Sequence, residues 1–237
     1  MAEEEPVFET TTGPPRIITA ASLFDGHDAA INVMRRLIQS AGAEVIHLGH
    51  DQSAKAVVDC AIQEDAHGVA LTSYQGGHVE YFTYIRQLLD EAGCEHIRIF
   101  GGGGGTITPP EIKTLHESGI SKIYSPDDGR TMGLMGMIHH LMGIASEVDL
   151  IHPDRIASLD GPVTPADTAK VGLLLTMSES ADDATFKATL DKCRSSTKEV
   201  PVIGFTGTGG AGKSSLLDEL MLRILRDNPG KKVCLLC

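Results

Sequence analysis

Four short stretches of this sequence pair chemically capable side chains with spacings that let them act together. Asp25 and His27 stand two apart in Ser22-Leu23-Phe24-Asp25-Gly26-His27-Asp28. On an irregular turn that brings the carboxylate close enough to accept an imidazole N–H. Such a bond fixes the tautomer and makes the other ring nitrogen a better metal donor. A D-x-H taken alone also describes a surface histidine beside an acid. Ser73, in Ser73-Tyr74-Gln75-Gly76-Gly77-His78, offers a hydroxyl to a ligand or, as its bland alternative, to a helix end. Gly101 to Gly105 are five consecutive glycines. They remove every side chain, which either lets something bulky and flat approach the backbone or makes a flexible loop.

The fourth stretch is the most specific. Gly207-Thr208-Gly209-Gly210-Ala211-Gly212-Lys213-Ser214 fits G-x-x-x-x-G-K-[ST] in full. Backbone N–H groups around Gly209, Gly210 and Gly212 can wrap phosphates at a helix N-terminus. Lys213 would reach the β- and γ-phosphates and Ser214 would ligate Mg²⁺; Gly207, Ala211 and Ser215 complete the expected nucleotide-binding set. An apolar run, Val200–Phe205, precedes the loop, and Leu216, Leu217, Leu220 and Ile224 follow it at helical spacing. A further strand is expected at Lys232–Leu236. After that loop these 237 residues hold no acidic Mg²⁺-positioning loop, switch region or guanine-reading motif. Nucleotide hydrolysis by this chain alone is therefore not expected.

These residues need elements to hold them. Short apolar runs occur at Arg16–Ala21, Glu44–Leu48, Gly68–Thr72, Ile97–Phe100 and Ile120–Tyr124, each fit for a buried parallel strand. Between them lie helical stripes such as Ala30, Val33, Met34, Leu37, Ile38 and Ala41. Pro109-Pro110 opens one helix, and Gly42, Gly93 and Gly119 sit where helices should stop. A last helix is expected from Gly129 to Leu141. The outcome is an α/β domain over residues 16–142, a doubly wound, flavodoxin-like parallel sheet of five strands. In that order the ligand edge lies beyond the carboxyl ends of the first and third strands, where the loops of Asp25, Ser73 and Gly101 meet. Residues 1–15 read as a disordered lead-in. Residues 143–199 read as a helical linker without a core of its own, with helix starts at Thr164-Pro165-Ala166-Asp167 and Asp183. Residues 200–237 read as the beginning of a P-loop NTPase domain.

The three sheet-edge motifs, in this order, resemble the cobalamin-binding domains of the mutase and methionine-synthase type. Those carry D-x-H-x-x-G, then S-x-L, then a Gly-Gly. The resemblance covers about residues 16–142. It departs at Ala30, where the family has Gly, and at Gln75, where it has Leu. It implies that His27 replaces the nucleotide base as lower axial ligand to cobalt and that Asp25 holds His27. It implies further that Ser73, Gly101 and Gly102 line the slot for the displaced dimethylbenzimidazole tail. The longer runs Ala20–Ala30 and Ser73–Tyr81 resemble the fused acyl-CoA mutases of the isobutyryl-CoA type. There a cobalamin domain comes first, a GTPase chaperone domain second and the mutase barrel last. From that resemblance follow adenosylcobalamin, GTP and Mg²⁺ as cofactors, a mutase barrel domain or subunit as partner, and a dimer as precedent. With neither barrel nor a complete GTPase domain here, mutase turnover by this chain alone is not expected.

Two other readings compete. The P-loop motivates a nucleotide-dependent chaperone that delivers cobalamin to a mutase. A phosphoacceptor receiver shares the sheet, but it needs an Asp after the third strand, where Ser73-Tyr74-Gln75 stands. The formal net charge of −12 disfavours nucleic-acid and anionic-membrane partners, which need excess Lys and Arg. No apolar run is long enough to span a bilayer. Five cysteines without framework spacing, and no secretory signal, fit a reducing cytoplasm. Cys234 and Cys237 read as strand thiols. His47, His50, His139 and His140 receive no role.

Overall fold

From Arg16 onward the alternation of apolar runs and amphipathic stretches becomes an alternation of strands and helices in the computed structural model, which describes residues 6–194 and 200–236. The order is β1 (Arg16–Ser22), α1 (Asp28–Ser40), β2 (Glu44–Gln52), α2 (Ala54–Gln63), β3 (Gly68–Thr72), α3 (His78–Glu91), β4 (Arg98–Gly102), α4 (Pro109–Glu117), β5 (Lys122–Tyr124) and α5 (Pro126–Ser146). The five strands form one parallel sheet in the order β2-β1-β3-β4-β5. Strand order therefore reverses between β1 and β3, the place a ligand edge requires.

Neighbouring residues on each central strand feed opposite cores. Ile18, Val69, Leu71 and Ile99 pack with Val57, Phe82, Ile85 and Leu115 from α2, α3 and α4. Ile17, Ala70 and Phe100 pack with Ile38 of α1 and with Ile138, Leu141 and Met142 of α5. This is the period-two alternation of a sheet buried on both faces. The helix starts carry their expected chemistry. Thr108 and Glu111 form a capping box ahead of Pro109, and Ser125 and Asp128 form another ahead of Pro126. Helix α5 is longer than expected, and Gly133 breaks it with φ 68° and ψ 175°, a conformation that is essentially glycine's alone.

Three expectations change. The lead-in is ordered from residue 6: Phe8 joins the core of α1 and α5, and Thr11 Oγ1 donates to Asp149 at 2.7 Å. Residues 1–5 lie outside the described residues. The stretch expected as a linker is helical through α6 (Pro153–Ala157), α7 (Thr168–Ser180) and α8 (Asp183–Cys193). It also encloses a small core of Leu159, Leu173, Met177 and Cys193. Helix α7 packs on α2, where a Cβ at Gly172 would come within 2.9 Å of the Ile62 carbonyl. Residues 195–199 lie outside the described residues.

Residues 200–236 fall in a second unit. It holds the glycine loop and α9 (Lys213–Asp227). The runs Val200–Phe205 and Lys232–Leu236, expected as strands, make no ladder among the described residues. A strand exists through its neighbours, and an apolar run without a paired backbone stays irregular. Among the described residues no helix is long and apolar enough to cross a membrane.

Candidate functional site

The loop after β1 turns on itself when the Asp25 N–H donates to the Ser22 carbonyl at 3.0 Å. That turn carries the Asp25 side chain inward, to 0% exposure, and leaves the His27 side chain 71% exposed. Asp25 then collects three donors. His27 Nδ1 lies 2.8 Å from Oδ1, the His27 N–H donates to the same oxygen at 3.0 Å, and the Tyr74 N–H donates to Oδ2 at 2.6 Å. Burial pushes this carboxyl up, but those hydrogen bonds outweigh it and hold the group below its ordinary value. An ionised carboxylate only accepts, so Nδ1 carries the proton and Nε2 keeps its lone pair. The Nε2 atom makes no hydrogen bond to the described residues. The chain thus presents a tautomer-locked imidazole at the carboxyl edge of the sheet.

The loop after β3 is tied to the same centre. Ser22 Oγ donates to Ser73 Oγ at 3.0 Å, both residues being 1% exposed, and the Ser73 N–H donates to the Gly102 carbonyl at 2.9 Å. Gln75, the departure from the expected Leu, donates its side-chain amide to the Leu23 carbonyl. Its polar end therefore fastens the two loops together. Ala30 sits inside α1, where alanine is the best helix former.

The five glycines divide by role. A Cβ at Gly103 would stand 1.9 Å from the Ser73 carbonyl, and one at Gly101 would stand 2.5 Å from Phe82 and 2.7 Å from Ile123. Both glycines are required by the protein's own packing. At Gly102 a Cβ would meet only the Tyr124 carbonyl at 3.5 Å, an ordinary contact. Gly102 therefore borders the open side of this edge without being forced by its neighbours.

Between the sheet and helices α1 and α5 lies an apolar cavity of about 60 Å³, reached by Gly101, Gly102 and Thr72 from the sheet and by Met34, Met137 and Ile138 from the helices. Its helix walls carry methionines, the most adaptable apolar side chains. A cavity that holds benzene measures about 150 Å³, so a larger ring enters only as α1 and α5 part. The break at Gly133 lies one turn before Met137 on α5. Sequence reasoning missed this cavity because the stripe of α1 reads as ordinary core. It also missed Ser22, Thr72 and Tyr74, whose ring stands 5.5 Å from that of His27. A Ser directly at a strand's carboxyl end was the one available signal for Ser22.

In the second unit the glycine loop runs directly into α9. Gly210 and Gly212 take left-handed φ of 77° and 79°, and Gly212 caps α9. Lys213 Nζ folds back to donate to the Gly207 and Thr208 carbonyls, each at 2.8 Å. Ser214 and Ser215 lie in the first turn of α9, and Gly209 and Ala211 lie in the loop. None of the described residues of this unit is fully buried, and Leu216, Leu222 and Leu225 of α9 are exposed. No cluster of three or more His, Cys, Asp or Glu suited to a metal occurs among the described residues.

This geometry agrees with what the chain is similar to. The family described as B12 binding domain matches residues 15–123. The chain is 48% identical over 228 residues to the fused isobutyryl-CoA mutase of Geobacillus kaustophilus, covering 93% of this chain and 21% of that protein. It is 51% identical over 214 residues to the fused isobutyryl-CoA mutase of Cupriavidus metallidurans, covering 90% and 19%. It is 34% identical over 115 residues to the 2-hydroxyisobutanoyl-CoA mutase small subunit of Aquincola tertiaricarbonis, covering 48% of this chain and 82% of that subunit. The chain thus spans about a fifth of the length of the fused mutases it matches. On a sheet of this order, with these loops at its carboxyl edge, the chain belongs to the family of cobalamin-binding domains and small subunits of acyl-CoA mutases, and the fused isobutyryl-CoA mutases are its homologues.

Proposed function

We propose that the carboxyl edge of the sheet binds adenosylcobalamin in its base-off form, with His27 Nε2 as the lower axial ligand to cobalt. One observation carries this reading. Asp25 is wholly buried and ionised, and it holds the proton on the Nδ1 side of an imidazole that is 71% exposed. A carboxylate placed behind a ligating histidine raises its basicity and fixes its direction. The residues present suit the cofactor's other end as well. A tail base released from cobalt needs an apolar slot beside the axial ligand, and the cavity under Gly102 lies at that edge. Gly101 and Gly102 line that cavity, and Ser73, next in the chain to its lining residue Thr72, would complete the slot. When bound, adenosylcobalamin supplies radical chemistry for carbon-skeleton rearrangement, and this domain supplies binding and orientation. Its partner would then be an acyl-CoA mutase barrel, in the same chain or as a separate subunit, in a homodimeric assembly.

Electron paramagnetic resonance of the Co(II) form tests the axial ligand. Labelling the protein with ¹⁵N-histidine should turn nitrogen triplets into doublets, and His27→Ala should remove them. Unchanged splitting under labelling would take histidine off the cobalt.

The Lys213 loop supports a second reading, a module that couples GTP and Mg²⁺ to cobalamin delivery. Lys213 would hold the β- and γ-phosphates and Ser214 the Mg²⁺. GTP hydrolysis above background by this chain, abolished in Lys213→Ala, would favour it.

A further inference from the structure

The turn that carries Asp25 inward is one that its own residues do not favour. The Asp25 N–H donates to the Ser22 carbonyl at 3.0 Å, so Leu23 and Phe24 are the two central residues of a β-turn. Phe24 has φ +62°, whereas Leu23 is not among the residues with positive φ. A negative φ followed by a positive one marks a type II turn, whose second central position calls for Gly or Asn. A bulky residue with positive φ is an outlier. Leu-Phe suits a type I turn, where both φ values are negative. The two turn types differ in the torsions on either side of one peptide group, here the one joining Leu23 to Phe24. A flip of that group interconverts them.

Both ends of that peptide group are held from outside the turn. The Leu23 carbonyl accepts from the Gln75 side-chain amide, and the Phe24 N–H donates to Asp51 Oδ1 at 2.6 Å. Each holder is itself fixed. The Gln75 carbonyl accepts from Nδ1 of the buried His78 at 3.0 Å. The carbonyl of Gln52, next to Asp51 at the end of β2, accepts from the Tyr81 hydroxyl at 2.8 Å. Phe24 is 79% exposed, so packing of its ring does not keep the backbone in this conformation. The two tethers do.

We infer that Asp51 and Gln75 are positioning residues for His27: they lock the Leu23–Phe24 peptide in its type II orientation and so fix the direction in which the imidazole is presented. This rests on the cobalamin reading above and adds to it the two residues that preorganise the axial ligand. A glycine at position 24 would take the turn unaided but would also leave it free to sample others. A phenylalanine with two tethers has fewer alternatives. A ligand that meets an already oriented group binds more tightly, because less ordering remains to be done.

Titration of the full chain with adenosylcobalamin tests the lock. Asp51→Ala should weaken binding about tenfold, the scale of the penalty for a left-handed residue. Asp51→Asn keeps an acceptor at Oδ1 and should retain most of the wild-type affinity. Gln75→Leu should act in the same direction as Asp51→Ala. In the Co(II) form both weakened variants should lose part of the ¹⁵N-histidine splitting that wild type shows. The deciding comparison uses Phe24→Gly. In that background Asp51→Ala should change affinity by less than about twofold, because glycine accepts the left-handed φ without a tether. An equal loss in both backgrounds would overturn the inference, since Asp51 would then act on the cofactor or on the whole domain. Wild-type affinity in Asp51→Ala would overturn it too. A wild-type chain that binds no adenosylcobalamin, or binds it without histidine splitting, would instead defeat the cobalamin reading on which the inference rests.

Discussion

Asp25 and Asp65 are alike in isolation and opposite in use. Each is a buried aspartate beside a histidine, and each is held below the ordinary carboxylate range against the upward push of burial. Asp25 sits at the carboxyl edge of the sheet and spends its bonds on one exposed imidazole and two loop N–H groups. Asp65 sits at the other edge, ahead of β3. It accepts from the Arg155 guanidinium at 2.6 Å and from Thr176 Oγ1 at 2.8 Å, and it bears φ +46°. Arg16 extends that cluster by donating to Thr176 at 2.9 Å, and the buried His67 accepts from the Arg16 N–H at 2.9 Å. One aspartate orients a group toward solvent. The other fastens α6 and α7 to the sheet. A buried carboxylate beside a histidine therefore does not mark a site; the open face of its partner does.

The contrast can be broken at several points. Asp65→Ala strands the Arg155 guanidinium, which is 18% exposed, and breaking a buried pair costs about 3–5 kcal/mol. Urea unfolding should show that loss, and a change below 1 kcal/mol would mean the cluster fastens nothing. His67 should give the next largest effect. Burial, then the Arg16 charge, depresses its pKa to about 4. The unfolded chain takes up that proton near pH 6.5, before the folded chain does. Stability should therefore be full above about pH 6.5 and fall toward pH 4, by on the order of 3 kcal/mol. His47 and His116 are shifted down as well and slope the same way. The difference between wild type and His67→Asn isolates the His67 share, and parallel pH profiles would refute it. The smallest effect belongs to His27. Its side chain is largely solvated, so His27→Ala should change unfolding free energy by no more than about 0.5 kcal/mol. A large loss would make His27 a structural residue and erase the contrast with His67.

How much of this was legible beforehand follows from the range of each interaction. Four of the five strands end within two residues of where apolar runs placed them, Gly68–Thr72 coincides, and β2 runs four residues past its run at Leu48. Helix ends were readable where local chemistry sets them, as at Thr108 with Glu111. The two C-terminal apolar runs make no ladder among the described residues, because pairing is not a local property. The small core of α6, α7 and α8 was unreadable for a related reason. Its members, such as Leu159 and Cys193, stand far apart in sequence and follow no single stripe.

At the site the division is the same. The residue types and spacing of Asp25, His27 and Ser73, the glycine run and the Lys213 loop were set by sequence alone, because each is a local motif on a turn. Only the tertiary structure decided which of those groups are free to act. It buried the Asp25 carboxylate under the Tyr74 N–H and gave the Ser73 hydroxyl to Ser22. It also filled the Cβ directions of Gly101 and Gly103 with the protein's own atoms, and it left the Thr72 hydroxyl buried without a hydrogen-bond partner. A side chain's type is a property of one position, whereas its freedom depends on every element that packs against it.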